Sequence, residues 1–193
     1  NHKYGKELSN FSSVSIDNEK SAYSATKYLI DCGHKNIAII LGDEYDIGIS
    51  YRREAGYLKA LNDNGIQFNK EYRILGNYNY RGAYDKTIKF LEDHNEVTAI
   101  FAISDIMAVG CAKAIKDKGL VVGKDISIMG FDGMDISEFY NPTITTVIQP
   151  KVEMAKISVD LLLDLMANKT ENKHIILNTE LIIRESTNSI IEK

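Results

Sequence analysis

Four polar or aromatic residues of this 193-residue chain stand just beyond short apolar runs. Arg53 follows NIAIILG (36–42), Tyr78 follows YRILG (72–76), Ser104 follows TAIFAI (98–103) and Asp132 follows ISIMGF (126–131). A guanidinium donates hydrogen bonds in a fork, and a carboxylate accepts them from neighbouring hydroxyls. A serine hydroxyl does either, and the face of a tyrosine covers the C–H side of a ring. The set suits a sugar or a nucleoside. Each residue also has a plainer reading. Arg53 follows Arg52, and one of the two could be a solvated charge; Tyr78 lies among Tyr72, Tyr80 and Tyr84 and could be lid or core. Asp132 could shape a turn. Ser104 and Asp105 compete to cap the next helix, and whichever does so is not free for a ligand.

The elements that must position these residues are legible from periodicity. Asp17-Asn18 caps a helix with Ala22, Ala25, Leu29 and Cys32 on one face and Gly33 at its stop. Helical spacing recurs over 50–65 (Ala55, Leu58, Leu61), over 81–94 (Ala83, Ile88, Leu91) and after Ser104 (Ala108, Cys111, Ala112, Ile115). SVSID (13–17) reads as a short strand, MDISEFYNPTI as irregular and TTVIQP as extended. A helix follows over about 151–167, with Met154, Ile157, Leu161, Leu162 and Leu165 along one side, then strand-like HIILNTELIIRES. Strands alternating with helices predict an α/β fold with a doubly wound, mainly parallel sheet. Such sheets bind ligands beyond the carboxyl ends of their strands, where the four residues stand.

Composition narrows the function. The chain is 44% hydrophobic and 26% charged with a net charge of −4, and its Lys and Arg residues are scattered. Without a basic stripe to displace counterions, this stretch alone is a poor DNA binder. Cys32 and Cys111 lie far apart and read as reduced thiols, which fits a cytoplasmic protein. No apolar run approaches the ~18–20 residues that cross a bilayer, so no membrane is implied. His2, His34, His94 and His174 do not cluster, and no metal-ligand spacing appears. Gly119–Asp125 imitates a phosphate loop but precedes a strand instead of following one. No catalytic group, metal or cofactor is expected.

The stretch Thr98–Asp132 carries Ser104-Asp105, then Met107-Ala108-x-Gly110, then Asp125-Ile126-Ser127-x-x-Gly130-Phe131-Asp132. In that order and spacing it resembles the effector-binding core of LacI/GalR-family transcriptional regulators. Asp17-Asn18, Gly33-His34, Arg53-x-x-Gly56-Tyr57, Thr145-Thr146 and Arg184-Glu185-Ser186 extend the resemblance over nearly the whole chain. It implies a periplasmic-binding-protein-like (type I) fold, one complete lobe plus part of a second. Residues 1–35 would be a remnant of the N-terminal lobe and 36–147 the effector-binding lobe. Residues 148–170 would return to the first lobe, and 171–193 would form the final strand region.

The resemblance implies ligand contacts from Asp17, Arg53, Tyr78, Ser104, Asp132 and Gln149, with Asp17 and Gln149 at the crossings. It turns Ser104 toward the ligand, leaves Asp105 structural, and puts Val109 and Tyr140 in a homodimer interface. The implied function is effector sensing and dimerisation: a sugar, polyol or nucleoside held between two lobes alters affinity for operator DNA. The DNA would be bound through a headpiece preceding residue 1. The alternative is the sugar-binding receptor of an ABC transporter, which has the same lobes and pocket.

Overall fold

A computed structural model describes residues 11–167 and 170–190. The chain divides into two compact units, Asn1–Asp17 with Gln149–Thr179, and Asn18–Ile148 with Glu180–Lys193. In the described part of the smaller unit, β1 (Ser13–Ile16) pairs in parallel with β7 (His174–Leu177), and α6 (Lys151–Met166) packs against β1.

The larger unit holds α1 (Asn18–Asp31), β2 (Ile37–Leu41), α2 (Ile49–Asp63), β3 (Arg73–Leu75) and α3 (Tyr80–Asp93). It continues through β4 (Ala99–Ala102), α4 (Asp105–Asp117), β5 (Ser127–Asp132), α5 (Asp135–Phe139), β6 (Thr145–Ile148) and β8 (Glu180–Ile182). Its strands form one sheet in the order β3-β2-β4-β5-β6-β8, parallel except for β8, which runs antiparallel to β6. Every residue of β2 and of β4 is buried, as expected of central strands covered on both faces. The α/β fold with a mainly parallel sheet expected from the sequence is the one observed.

Several details differ from the sequence reading. The first unit ends at Asp17 rather than near residue 35, because α1 packs on α2 and so belongs to the larger unit. A Cβ on Gly56 of α2 would lie 2.1 Å from the Glu19 carbonyl oxygen, so the two helices approach at a distance only glycine permits. The second crossing falls after Ile148 and the third after Thr179, against expected boundaries at 147 and 170. The strand-like HIILNTELIIRES is two strands, since β7 pairs with β1 whereas β8 pairs with β6. MDISEFYNPTI contains the short helix α5. Along α6 only Leu161 is buried and Leu162 is exposed, because the described smaller unit offers it just two four-residue strands.

His34 fastens the lower edge of the sheet. The Asn188 carbonyl can only accept, so His34 Nε2 donates to it at 3.1 Å, which leaves Nδ1 to accept from Thr98 Oγ1 at 2.9 Å. Burial lowers the imidazole's pKa, opposed by the Asn188 carbonyl.

Two predictions follow from this packing. Gly56→Ala should destabilise the protein by about 1–3 kcal/mol through overpacking of the α1–α2 contact, measured by urea unfolding. Because His34 titrates lower when folded, the unfolded chain binds more protons as pH falls through its ordinary 6.5. Stability should therefore drop between about pH 7.5 and about pH 5.5, and His34→Gln should show a shallower drop over the same unfolding midpoints.

Candidate functional site

From β2 the chain steps outward to β3, then returns across β2 to place β4 on its other side. The reversal opens a crevice at the carboxyl ends of β2 and β4, the position where open α/β sheets bind ligands. Arg53, on α2, reaches that crevice and is 3% exposed, while Arg52 beside it is the solvated one. Its Nε donates to Asn18 Oδ1 at 2.9 Å, and its Nη1 donates to the Ile103 carbonyl and to Asp132 Oδ1, the latter at 3.1 Å. The guanidinium lies over the Phe131 ring, 3.5 Å from its centroid. A guanidinium has five N–H donors, and these bonds use three. The remaining pair, on Nη2, has no partner among the described residues. Buried side-chain polar atoms of the described residues all have partners, so Nη2 is not sealed from solvent. Burial lowers the Arg53 pKa, and Asp132 opposes that shift. The group stays cationic, as arginine does in proteins generally.

Asp132 ends β5 with φ at 106°, a region costly for a non-glycine residue, and Gly133 follows with φ at 62°. The residue therefore turns the chain with its backbone and meets Arg53 with its carboxylate. Breaking such a pair from one side costs about 3–5 kcal/mol when the abandoned charge stays buried. At the end of β4 the contest for the cap goes to Ser104, whose Oγ accepts from the Met107 amide at 3.3 Å. An accepting hydroxyl still has a proton to donate, so capping does not remove Ser104 from a ligand. Asp105 is fully buried, with Oδ2 accepting from the Met134 amide and Oδ1 from Thr146 Oγ1, both at 2.6 Å. Gly130 makes room for that carboxylate, since a Cβ there would fall 2.3 Å from Asp105 Oδ1. Asp105 thus ties the loop after β5 to β6.

Tyr78 is braced more than the sequence suggests. Its hydroxyl bonds to Asp46 and, at 3.1 Å, to Ser50 Oγ, which also accepts from the Gly42 amide at 2.9 Å. A Cβ on Gly42 would sit 1.8 Å from Tyr78 Cε2, so the ring lies directly on that glycine. Asp46 in turn caps α2 by accepting from the amides of Gly48, Ile49 and Ser50 at 2.8–3.0 Å. Burial and the Asp46 bond push the Tyr78 phenol up to about 12. Burial raises the Asp46 carboxyl, but the bonds from Tyr78 and the three amides outweigh this and hold it below the ordinary range. Tyr78 keeps 38% of its surface exposed.

Asp17, exposed, is the last residue of its stretch of the smaller unit, and half-buried Gln149 is the first residue after β6. Val109 and Tyr140 come together. They line a groove of about 430 Å³ with Tyr80, Arg81, Tyr84, Gly110 and Lys113. Among the described residues no group of three or more His, Cys, Asp or Glu could hold a metal ion. The sequence reading missed Asn18 and Phe131 as supports of Arg53, and Asp46 and Ser50 as supports of Tyr78. Only Asp46, four residues before Ser50 at the start of α2, carried a visible signal, that of a helix cap.

Residues 26–187 match the periplasmic binding protein-like domain. The chain is 52% identical to the HTH-type transcriptional regulator MalR of Clostridium butyricum over 184 residues, which are 95% of this chain and 54% of that protein. Among solved structures, the complex of transcriptional regulator CelR with cellobiose has a TM-score of 0.86 at 31% identity, covering 92% of this chain and 54% of that one. A dimeric Lac repressor has a TM-score of 0.86 at 29% identity, covering 92% and 64%. The chain thus spans about half the length of the curated relatives it matches. The relatives are regulators rather than enzymes. With its crevice arginine and its ordered motifs, the chain belongs to the LacI/GalR family of transcriptional regulators and is an effector-binding region of that family.

Proposed function

We propose that this region senses a small polyhydroxylated effector, a sugar or a related polyol or nucleoside, and converts its binding into a change of operator affinity in a cytoplasmic homodimer. The observation that carries the reading is the pair of Nη2 donors left on a fixed, buried Arg53 beside Asp132, at the switch point of the sheet. Ser104 adds a hydroxyl, and Tyr78 adds an aromatic wall. Asp17 and Gln149 complete the set from the chain crossings. A neutral polyol both donates and accepts, so it satisfies cation and carboxylate together. The cellobiose held by CelR is a ligand of this class.

Such a ligand shifts a conformational equilibrium only by its different affinity for the two states, and the shift appears as a coupling free energy on DNA. The HTH-type relatives favour operator DNA as the readout, bound outside this stretch, over a transport receptor. The groove lined by Val109 and Tyr140 is the proposed seat of a second copy, in keeping with the dimeric Lac repressor among the structural relatives.

In the full-length regulator, operator binding would be titrated with cellobiose, maltose and ribose. Asp132→Asn should weaken the response to the active sugar about 10- to 100-fold, the worth of a charge-assisted hydrogen bond. Operator affinity without sugar should stay unchanged. A variant that responds like the parent would place the effector elsewhere. Tyr140→Arg would set a further cation against Lys116, beside Arg81 and Lys113, and should yield monomers in sedimentation; an intact dimer would remove the groove from the interface.

A further inference from the structure

We infer that Asn18 is the positioning residue of the effector arginine, fixing where the Nη2 donors of Arg53 point; the inference rests on the effector reading above. Two constraints are already visible. The Phe131 ring beneath the guanidinium fixes its plane, and the bonds from Nη1 to Ile103 and Asp132 fix one corner within that plane. Two bonds that share one nitrogen resist rotation within the plane only through their bending, and Nη2 would move with any such rotation. The bond from Nε to Asn18 Oδ1, 2.9 Å, is the second point and stops the rotation.

Asn18 is suited to hold that point. It is the first residue of α1, and α1 lies against the helix that carries Arg53. The approach of those helices is set at Gly56, three residues along α2 and therefore on the same face as Arg53. The acceptor thus comes from a rigid element whose distance is fixed by backbone contact, as precise sites require of their supporting residues. An amide oxygen accepts from Nε without bringing a second carboxylate to a cation that Asp132 already neutralises.

The test uses the full-length regulator with arginine labelled by nitrogen-15, and with whichever of cellobiose, maltose or ribose binds most tightly as the probe. In the parent protein the Arg53 Nε–H, assigned by its loss in Arg53→Lys, should be protected from solvent exchange. Asn18→Ala should lose that protection and weaken the sugar about 10-fold. Asn18→Asp, which keeps the acceptor, should retain the protection and bind within about 3-fold of the parent. In an Arg53→Lys background Asn18→Ala should cost nothing further, because its effect runs through the guanidinium. Circular dichroism and urea unfolding midpoints report folding of each variant independently of the sugar. Unchanged protection or sugar affinity in Asn18→Ala, or an equal loss in both backgrounds, would overturn the assignment of Asn18. An Arg53→Lys variant that binds sugar normally would instead overturn the effector reading itself.

Discussion

A buried guanidinium needs a countercharge and acceptors for the donors it hides from water, and the larger unit supplies both to Arg53. A cation removed from water is tolerated only with a countercharge and with acceptors for its donors. Three parts of the chain supply them: Asn18 from the start of α1, the Ile103 carbonyl just past β4, and Asp132 at the end of β5. Phe131 supplies the face beneath. The arrangement leaves two donors over, and that surplus is what the proposed effector would meet. A fully satisfied arginine would be a strut, and one with fewer bonds would have no fixed direction.

Small residues bring these parts close enough. Gly56 allows α1 onto α2, which brings Asn18 within reach of Arg53. Gly130 admits the Asp105 carboxylate against β5, and Asp105 then holds the Met134 amide two residues beyond Asp132. Gly42 lets the Tyr78 ring settle over the end of β2. Each is a place where a Cβ would separate two elements by more than a hydrogen bond can span. The polar geometry of the crevice is therefore a consequence of backbone packing, which pre-organises it before any ligand arrives.

Much of this was legible in the sequence, and the parts that were not share a cause. The alternation of apolar runs with helical periods predicts the parallel sheet, and the strand ends put Arg53 and Asp132 on one edge, where the two side chains meet. Local pattern cannot show which nitrogen of Arg53 is spoken for, since Asn18 is 35 positions away and Asp132 is 79. Nor does it distinguish a tyrosine that walls a crevice from one that also braces Asp46, because that bond spans 32 residues. The contest between Ser104 and Asp105 was posed correctly but had no local answer. Asp105 is claimed by Thr146 and Met134, partners 41 and 29 positions away. The final strand was read as one piece because HIIL and ELII are equally apolar, and only pairing assigns one to β1 and the other to β6.

The partners of Arg53 also have a position in the chain that bears on how binding could be felt elsewhere. The chain passes between its two units at three points, after Asp17, after Ile148 and after Thr179. Asn18, which holds Nε, is the first residue beyond the first of these. Asp132, which holds Nη1, is paired in register with Ile148, the last residue before the second. Ile148 is paired in turn with Glu180, the first residue beyond the third. A group that draws on Nη2 therefore perturbs a cation whose side-chain partners are crossing residues or their ladder neighbours. Coupling requires an element with two arrangements whose energies the ligand changes unequally. Bonds that end beside the crossings put the arginine of the proposed effector site next to the segments such an element would have to include.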